Sequence, residues 1–509
     1  MTSPIIKRIK KHIEETPSKT ALIFQEKVLT YRELGEKINS LSYSLSKKGI
    51  SRGDHIGVVL PNGVEFCLIM LAAANLGATI VPHNTSLTAS ALSHAFDKSE
   101  VSHYIVWHSL VSELQAQTRS KNPNSLWVSA GKSLKTTIYF DDLLNIHCES
   151  VLGSFSVDGD SAYIFTMTSG STGTPKPIIL SQSCKIKRAE AAIKLYNITS
   201  SDVVLAATPL YHSLAERLVL TPLMTGGTAV IMAGFSPNQW FTLIEKYKIS
   251  FTIAVSSQLK KINDELSNSS YNLNSLRCLV SSSERLSQTL KVSLLNELKC
   301  EFHECYGASE AAIISNLDHS KKNNKMDSVG KPIAGVDVRI LDNSGQCLAS
   351  GNIGEIACKT PMAFSGYFKQ AEKTQASFVD DYFLTGDLGQ LDEDGFLYFC
   401  GRKKEIIITG GINVYPKDIE DVLLKHSDVF EVAAIPLADE SLGEIVTAVI
   451  VSNATINERD LQRLCAKNLA DYQQPRKYIF IKQLPKNTLG KVMKPLLIEQ
   501  LSNAIESTS

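Results

Sequence analysis

The 509-residue chain has no surplus of either charge: 52 Lys and Arg stand against 52 Asp and Glu. Neutrality argues against a nucleic-acid partner, which would need a basic face. Long apolar runs are missing too. The longest, Phe66 to Leu76, falls well short of the roughly 20 residues that span a bilayer, so integral membrane association is not expected. There is no Cys-x-x-Cys pair and no Cys/His group at zinc spacing. The ten scattered cysteines therefore read as small buried hydrophobes in a reducing, cytoplasmic protein. The first residues lack the uninterrupted apolar region of a secretion signal. They offer instead Ile5, Ile6, Ile9 and Ile13, the spacing of a short amphipathic helix docked on the body.

What the chain does have is alternation. Thr30-Tyr-Arg-Glu reads as a capped helix start, Ile56–Leu60 as a strand, Val64–Leu76 as a buried helix stopped by Gly77, and Ala78–Pro82 as a strand. Strands at Val203–Thr208, Thr228–Met232, Ser250–Val255, Leu276–Ser281 and Glu301–Tyr306 alternate with amphipathic segments near Ser181–Leu195, Glu216–Thr225, Pro237–Lys246 and Ser287–Leu298. This spacing predicts an α/β fold of stacked βαβ units with largely parallel sheets. From Val336 short strands and tight turns suggest a small barrel-like part near residues 330–401. Residues 402–509 read as a compact α+β module, with helices at Pro416–Lys425 and Asn457–Leu469 and strands at Ile406–Thr409, Val429–Pro436, Glu444–Val451 and Tyr478–Leu484. The expected division is 1–401 and 402–509, with a hinge near 402–404.

Several stretches carry chemistry. Thr166–Pro177, rich in Ser, Thr and Gly and following the apolar Tyr163-Ile-Phe, presents many donors and little bulk, and Lys176 adds a cation: an anion cradle. A P-loop is excluded, because Thr174-Pro175 separates Gly173 from Lys176. Tyr306-Gly-Ala-Ser-Glu310 lies at a strand end, where an aromatic can stack on a base and a carboxylate can hold magnesium. Asp387, in a tight Thr-Gly-Asp corner, has one oxygen for each of two ribose hydroxyls. Gly410-Gly411 would let a ligand approach the backbone closely.

Together with Gly401–Pro416 and Leu484–Pro495 (ending its core at Lys491), these motifs resemble the adenylate-forming superfamily: acyl- and aryl-CoA synthetases, luciferases and peptide-synthetase adenylation domains. The resemblance runs from Leu29 to Lys491. It implies a large N-terminal body with a mobile C-terminal lid, and an ATP site of Thr168, Ser169, Gly170, Ser171, Thr172, Gly173, Lys176, Ser283, Glu304, Tyr306, Gly307, Ser309, Asp387, Arg402 and Lys491. Within it Tyr306 would stack on adenine, Ser309 meet the α-phosphate, Glu310 hold Mg2+, Asp387 the ribose, and Arg402 ribose and phosphates. Lys491, His212 and Arg402 are the implied catalytic residues; Lys404 is the hinge, and Gly410 and Gly411 line the passage for a pantetheine arm. Tyr211, His212, Ser281, Ser282 and Cys305 would line the acyl pocket. The chain departs from the family pattern at Pro177, at Ser281-Ser-Ser-Glu284 and at Cys305, where glycines are frequent. Added side chains there imply a short, compact or polar acid. The implied activity is AMP-forming acid–thiol ligation, with ATP, Mg2+ and CoA, by a monomer or homodimer. A stand-alone enzyme loading an acyl or peptidyl carrier protein, and a non-catalytic nucleotide-binding protein on the same fold, are the alternatives.

Overall fold

The computed structural model describes every residue except 1, 119–123, 147–150, 169–175, 267–270, 285, 322–323, 453–455, 488–489 and 507–509. Two large sheets form the body. One has nine strands, ordered Lys331–Pro332, Ala312–Asp318, Glu301–Ala308, Cys278–Ser282, Phe251–Val255, Val203–Ala206, Thr228–Ile231, Thr20–Phe24 and Lys27–Thr30. The other has eight, with Ala162–Thr168 third from one edge, between Thr79–Pro82 and Lys176–Ser181. Their middles are parallel, as expected, but the margins are not. Glu301–Ala308 runs antiparallel to Ala312–Asp318, and Ala162–Thr168 antiparallel to Lys176–Ser181. Such short connections leave no room for a crossover helix, so the chain must turn back on itself.

Local chemistry explains the helices. Thr30 accepts from Glu33 N while the Glu33 carboxylate accepts from Thr30 N, a capping box that starts Tyr31–Lys47. Val64–Leu76 is buried along nearly its whole length and ends at Gly77 with φ +74°, where the left-handed turn needs a glycine. At the N-terminus, Pro4–Glu15 buries Ile5, Ile6 and Ile9, and His12 Nε2 lies 3.1 Å from Met224 O, docking the helix on the body. Among the described residues no helix is long and apolar enough to cross a membrane.

The barrel-like part is a five-stranded antiparallel sheet containing Asp337–Leu341, Gly354–Lys359, Tyr382–Leu391 and Leu397–Arg402. The predicted Thr-Gly-Asp corner is a correction: Thr385-Gly386-Asp387 lies inside the ten-residue strand Tyr382–Leu391. Gly386, at φ +73°, kinks that strand without ending it. The C-terminal module has its own core between helices Pro416–Leu423 and Glu458–Asn468 and the strands Val429–Asp439 and Gly443–Ser452. Cys67, Cys184, Cys278, Cys358 and Cys465 are buried as expected, whereas Cys347 is exposed, on an isolated bridge to Leu341.

Candidate active site

The nine-stranded sheet, the small barrel and the C-terminal module converge on Asp387. It is 3 % exposed, and three groups reach it. Tyr306 Oη donates to its Oδ2 at 2.7 Å, Arg402 Nε lies 2.8 Å from its Oδ1, and the Lys491 ammonium is an electrostatic neighbour. The Arg402 contact is an ion pair without an aligned hydrogen bond, which leaves Oδ1 able to accept from a ligand hydroxyl. Burial holds the Asp387 carboxyl above the usual carboxylate range, against the pull of Arg402, Tyr306 and Lys491. Strand pairing dictates the meeting: Asp387 and Arg402 are Cα partners across the Tyr382–Leu391 and Leu397–Arg402 strands.

Lys491 reaches this centre from the C-terminal module. It is half-buried, and burial first, then the Arg402 charge, holds its ammonium below the ordinary lysine value; Glu405, Asp387 and Glu284 oppose that shift. The turn that delivers it is built on Asn487, whose Oδ1 accepts from Lys491 N and whose N donates to Lys491 O. Gly490, at φ +84°, packs against Ser257 of the body so closely that a Cβ would fall 2.6 Å from the Ser257 Cβ. The module is therefore docked with its lysine in the site. Arg402 and Lys404 are exposed on the connection, and Gly410 and Gly411 form the two-residue turn between Ile407–Thr409 and Ile412–Val414, exposed and at φ +56° and +81°.

A second group of residues gathers beside the first. Tyr367 Oη donates to Glu310 Oε1 at 3.0 Å, and Lys176 Nζ lies 5.6 Å from the Tyr367 ring. The pairing of Gly366–Tyr367 with Lys176–Ser181 brings them together. Arg188 Nη2 and Phe364 N both donate to Glu310 O, fixing the turn that carries the carboxylate. Burial, helped by Lys373 and Lys404, lowers the Lys176 ammonium, with Glu310 opposing. A carboxylate beside a cation, on a turn opening toward Lys176, fits a hard ion such as Mg2+ held together with phosphate oxygens. The cradle residues Ser169, Gly170, Ser171, Thr172 and Gly173 lie outside the described residues, as does the side chain of Thr168.

The other predicted positions divide. Gly307 faces the Ala312 carbonyl so closely that no side chain fits, and Ser309 is exposed on the turn before Glu310. Ser283 is exposed at φ +82°. The Glu304 carboxylate is committed beneath the sheet, 2.6 Å from Lys291 Nζ and 3.2 Å from His319 Nε2, and its main chain lies between two paired strands, opposite Ser281 and Leu317. Strand register puts Ser282 and Cys305 on one face and Ser281 with Glu304 on the other. His212 caps helix Ser213–Thr225, its ring 4.4 Å from that of Tyr211, and burial pushes its pKa down to about 4, so it is neutral near pH 7. Tyr211 also lines a cleft of about 430 Å³ with Asn62, Thr85, Phe235, Ser257 and Lys261. Sequence reasoning missed Tyr367 and Arg188. Arg188 resembles an ordinary helix-surface cation next to Lys187, and only packing reveals that it is buried.

Residues 9–368 match the model of the AMP-binding enzyme family, and residues 418–491 match its C-terminal domain. The chain belongs to the AMP-binding enzyme family. A 2-succinylbenzoate–CoA ligase of Listeria monocytogenes is 29% identical over 97% of this chain and 99% of its own length. An indoleacetate–CoA ligase of Aromatoleum aromaticum is 29% identical over 96% of each. ATP-bound MatB from Rhodopseudomonas palustris superposes with a TM-score of 0.90 at 26% identity, covering 98% of this chain and 99% of that one. The o-succinylbenzoate CoA synthetase of Bacillus subtilis, in complex with its acyl-adenylate intermediate, gives 0.86 at 25% identity over 98% of each chain. The adenylate-forming resemblance and the α/β body with a small C-terminal domain are thereby established.

Proposed function

We propose that this family member is an AMP-forming acid–CoA ligase. The observation that carries the reading is the convergence on Asp387 of Tyr306, Arg402 and a half-buried Lys491 brought in by the C-terminal module. In the first half-reaction a carboxylate oxygen attacks the α-phosphorus of ATP and the bond to pyrophosphate breaks, giving acyl-AMP. Two anions collide in that step, and Lys491 supplies the bridging cation. Asp387 accepts from the ribose hydroxyls, Tyr306 lies against adenine, and Arg402 spans ribose and phosphate. Mg2+, when bound at Glu310, neutralises charge on the phosphate oxygens. Neutral His212 can orient the carboxylate by a hydrogen bond without adding a charge.

In the second half-reaction the thiol sulfur attacks the acyl carbon, the bond to AMP breaks, and the thiol proton passes to solvent. We read residues 402–509 as a lid that turns about Lys404, withdrawing Lys491 and bringing Gly410-Gly411 to the site. The cleft beside Tyr211 supports this reading as the path of the thiol. In the present conformation Gly490 is seated on Ser257, one of the residues lining that cleft, so withdrawing Lys491 would also clear its margin.

Relatives acting on 2-succinylbenzoate and indoleacetate support a carboxylic acid and CoA as substrates. The acid is compact or polar, because the Cys305 and Ser282 side chains occupy the face where glycines would leave room. The test is ATP–pyrophosphate exchange over C2–C16 and aryl acids, followed by product analysis with CoA. Acid-dependent exchange and acyl-CoA formation with a compact acid are expected. Best turnover on palmitate would sink the acid assignment, and exchange without any acyl-CoA would sink CoA as acceptor.

A further inference from the structure

At the end of the nine-stranded sheet remote from Tyr306, three metal-ligating side chains meet that adenylation does not use. Cys278 opens the strand Cys278–Ser282, Glu301 opens Glu301–Ala308, and the two are Cα partners in parallel register. His303 follows Glu301 by two residues, so all three project from one face. A sulfur, a carboxylate oxygen and a ring nitrogen from them lie within 4.8 Å of one another, the one such trio among the described residues. His303 Nε2 is 3.7 Å from Glu301 Oε2.

A second observation points to a ligand. His303 is only 5 % exposed, yet its Nε2 has no hydrogen-bond partner. Buried polar atoms are rarely left so, and this one lies beside a thiol and a carboxylate. Cys278 is fully buried whereas the Glu301 side chain is 52% exposed, so the trio is closed behind the sulfur and open to solvent at the carboxylate. The donors are one S, one N and one O. Magnesium and calcium take oxygen alone; this set suits a borderline divalent ion. With bonds of about 2.0–2.3 Å, tetrahedral ligand atoms stand roughly 3.3–3.8 Å apart, a spacing that His303 and Glu301 already have.

We propose that Cys278, Glu301 and His303 bind a divalent transition-metal ion of the zinc type, at a site separate from the adenylating centre. Binding releases the Cys278 thiol proton to solvent and takes the Nε2 lone pair, so the ring proton sits on Nδ1. Nδ1 lies 3.1 Å from the Asn316 amide nitrogen, and Asn316 Oδ1 now accepts from Tyr196 Oη at 3.2 Å. With metal bound, the Asn316 amide turns so that its oxygen accepts from Nδ1 and its nitrogen donates to Tyr196, the outer-shell carbonyl that ligating histidines use. Tyr196 neighbours Cys305 in the acyl pocket, so the ion would reach that pocket through one amide flip.

The full chain, stripped with a chelator, is titrated with Co2+ and then Zn2+. One equivalent of Co2+ should give the near-ultraviolet thiolate-to-cobalt band, and Zn2+ should displace it. Cys278→Ser should abolish the band. Glu301→Gln, at the exposed end of the trio, should keep the fold and weaken Zn2+ binding tenfold or more. Absence of the band in folded protein overturns the site, as does its persistence in Cys278→Ser. Should that variant fail to fold, unchanged Zn2+ affinity in Glu301→Gln overturns it instead.

Discussion

Lys491→Ala tests the adenylating centre most directly. The ammonium is half-buried among Arg402, Glu405, Asp387 and Glu284, so water screens it poorly. A cation about 4 Å from a phosphate at an effective dielectric near 20 is worth roughly 4 kcal/mol. Removing one such preorganised group typically costs about 10²–10³ in rate, that is roughly 3–4 kcal/mol. ATP–pyrophosphate exchange should therefore fall by about 10²–10³, while thioester formation from supplied acyl-AMP is largely spared. The pH dependence has a definite sign. The charged amine is the working form and its pKa is held below the ordinary lysine value, mainly by burial, so exchange should decline with rising pH before an ordinary lysine would titrate. Lys491→Arg should push that decline to higher pH. Equal loss in both half-reactions, or a wild-type alkaline limb unmoved in Lys491→Arg, would refute the reasoning.

The docking of the lid and two buried groups give further tests. Gly490→Val adds a Cβ against Ser257 at a positive φ, costing about 1–3 kcal/mol of the docked state; exchange should fall and Ser257→Gly should restore part of it, whereas no rescue would place the effect elsewhere. Lys185 and Glu216 form a 2.5 Å ion pair with side chains 2% and 0% exposed. Lys185→Met should cost about 3–5 kcal/mol in denaturant unfolding, and Lys185→Met with Glu216→Gln should recover most of it; an unchanged midpoint in the single variant would contradict this. His83 is buried edge-on to Phe96 with its pKa pushed down to about 4. The unfolded chain binds its proton first, so stability is full above pH 6.5 and up to roughly 3 kcal/mol is lost as pH falls toward 4. Thermal melts of His83→Gln should flatten in that window, and a slope equal to wild type would exclude His83 as the source.

Much of the fold was legible because local chemistry and periodicity agree. The Thr30–Glu33 capping box, the glycine stop after Leu76 and the central strands from Val203 to Ala308 all stand close to their expected places. What periodicity could not convey was direction at the sheet margins. An apolar strand reads the same whether its neighbour runs with it or against it, so the antiparallel edges at Ala312–Asp318 and Lys176–Ser181 emerged only from pairing. Asp387 looked like a turn residue because Thr-Gly-Asp is turn chemistry; a ten-residue strand overrode that preference by pairing on both sides of Gly386.

The sequence by itself determined the family chemistry, because the residues that meet nucleotide and phosphate lie in short contiguous motifs whose composition is the message. Tertiary structure alone decided which of those side chains engage each other. Arg402 and Lys491, 89 positions apart, converge on Asp387 because strand register and the docked lid put them there. Glu310 is held by Tyr367 and Arg188, which no local pattern links to it. The Cys278, Glu301 and His303 trio was invisible for the same reason: its ligands come from two neighbouring strands, and sequence spacing records neighbours along a chain, not across a sheet.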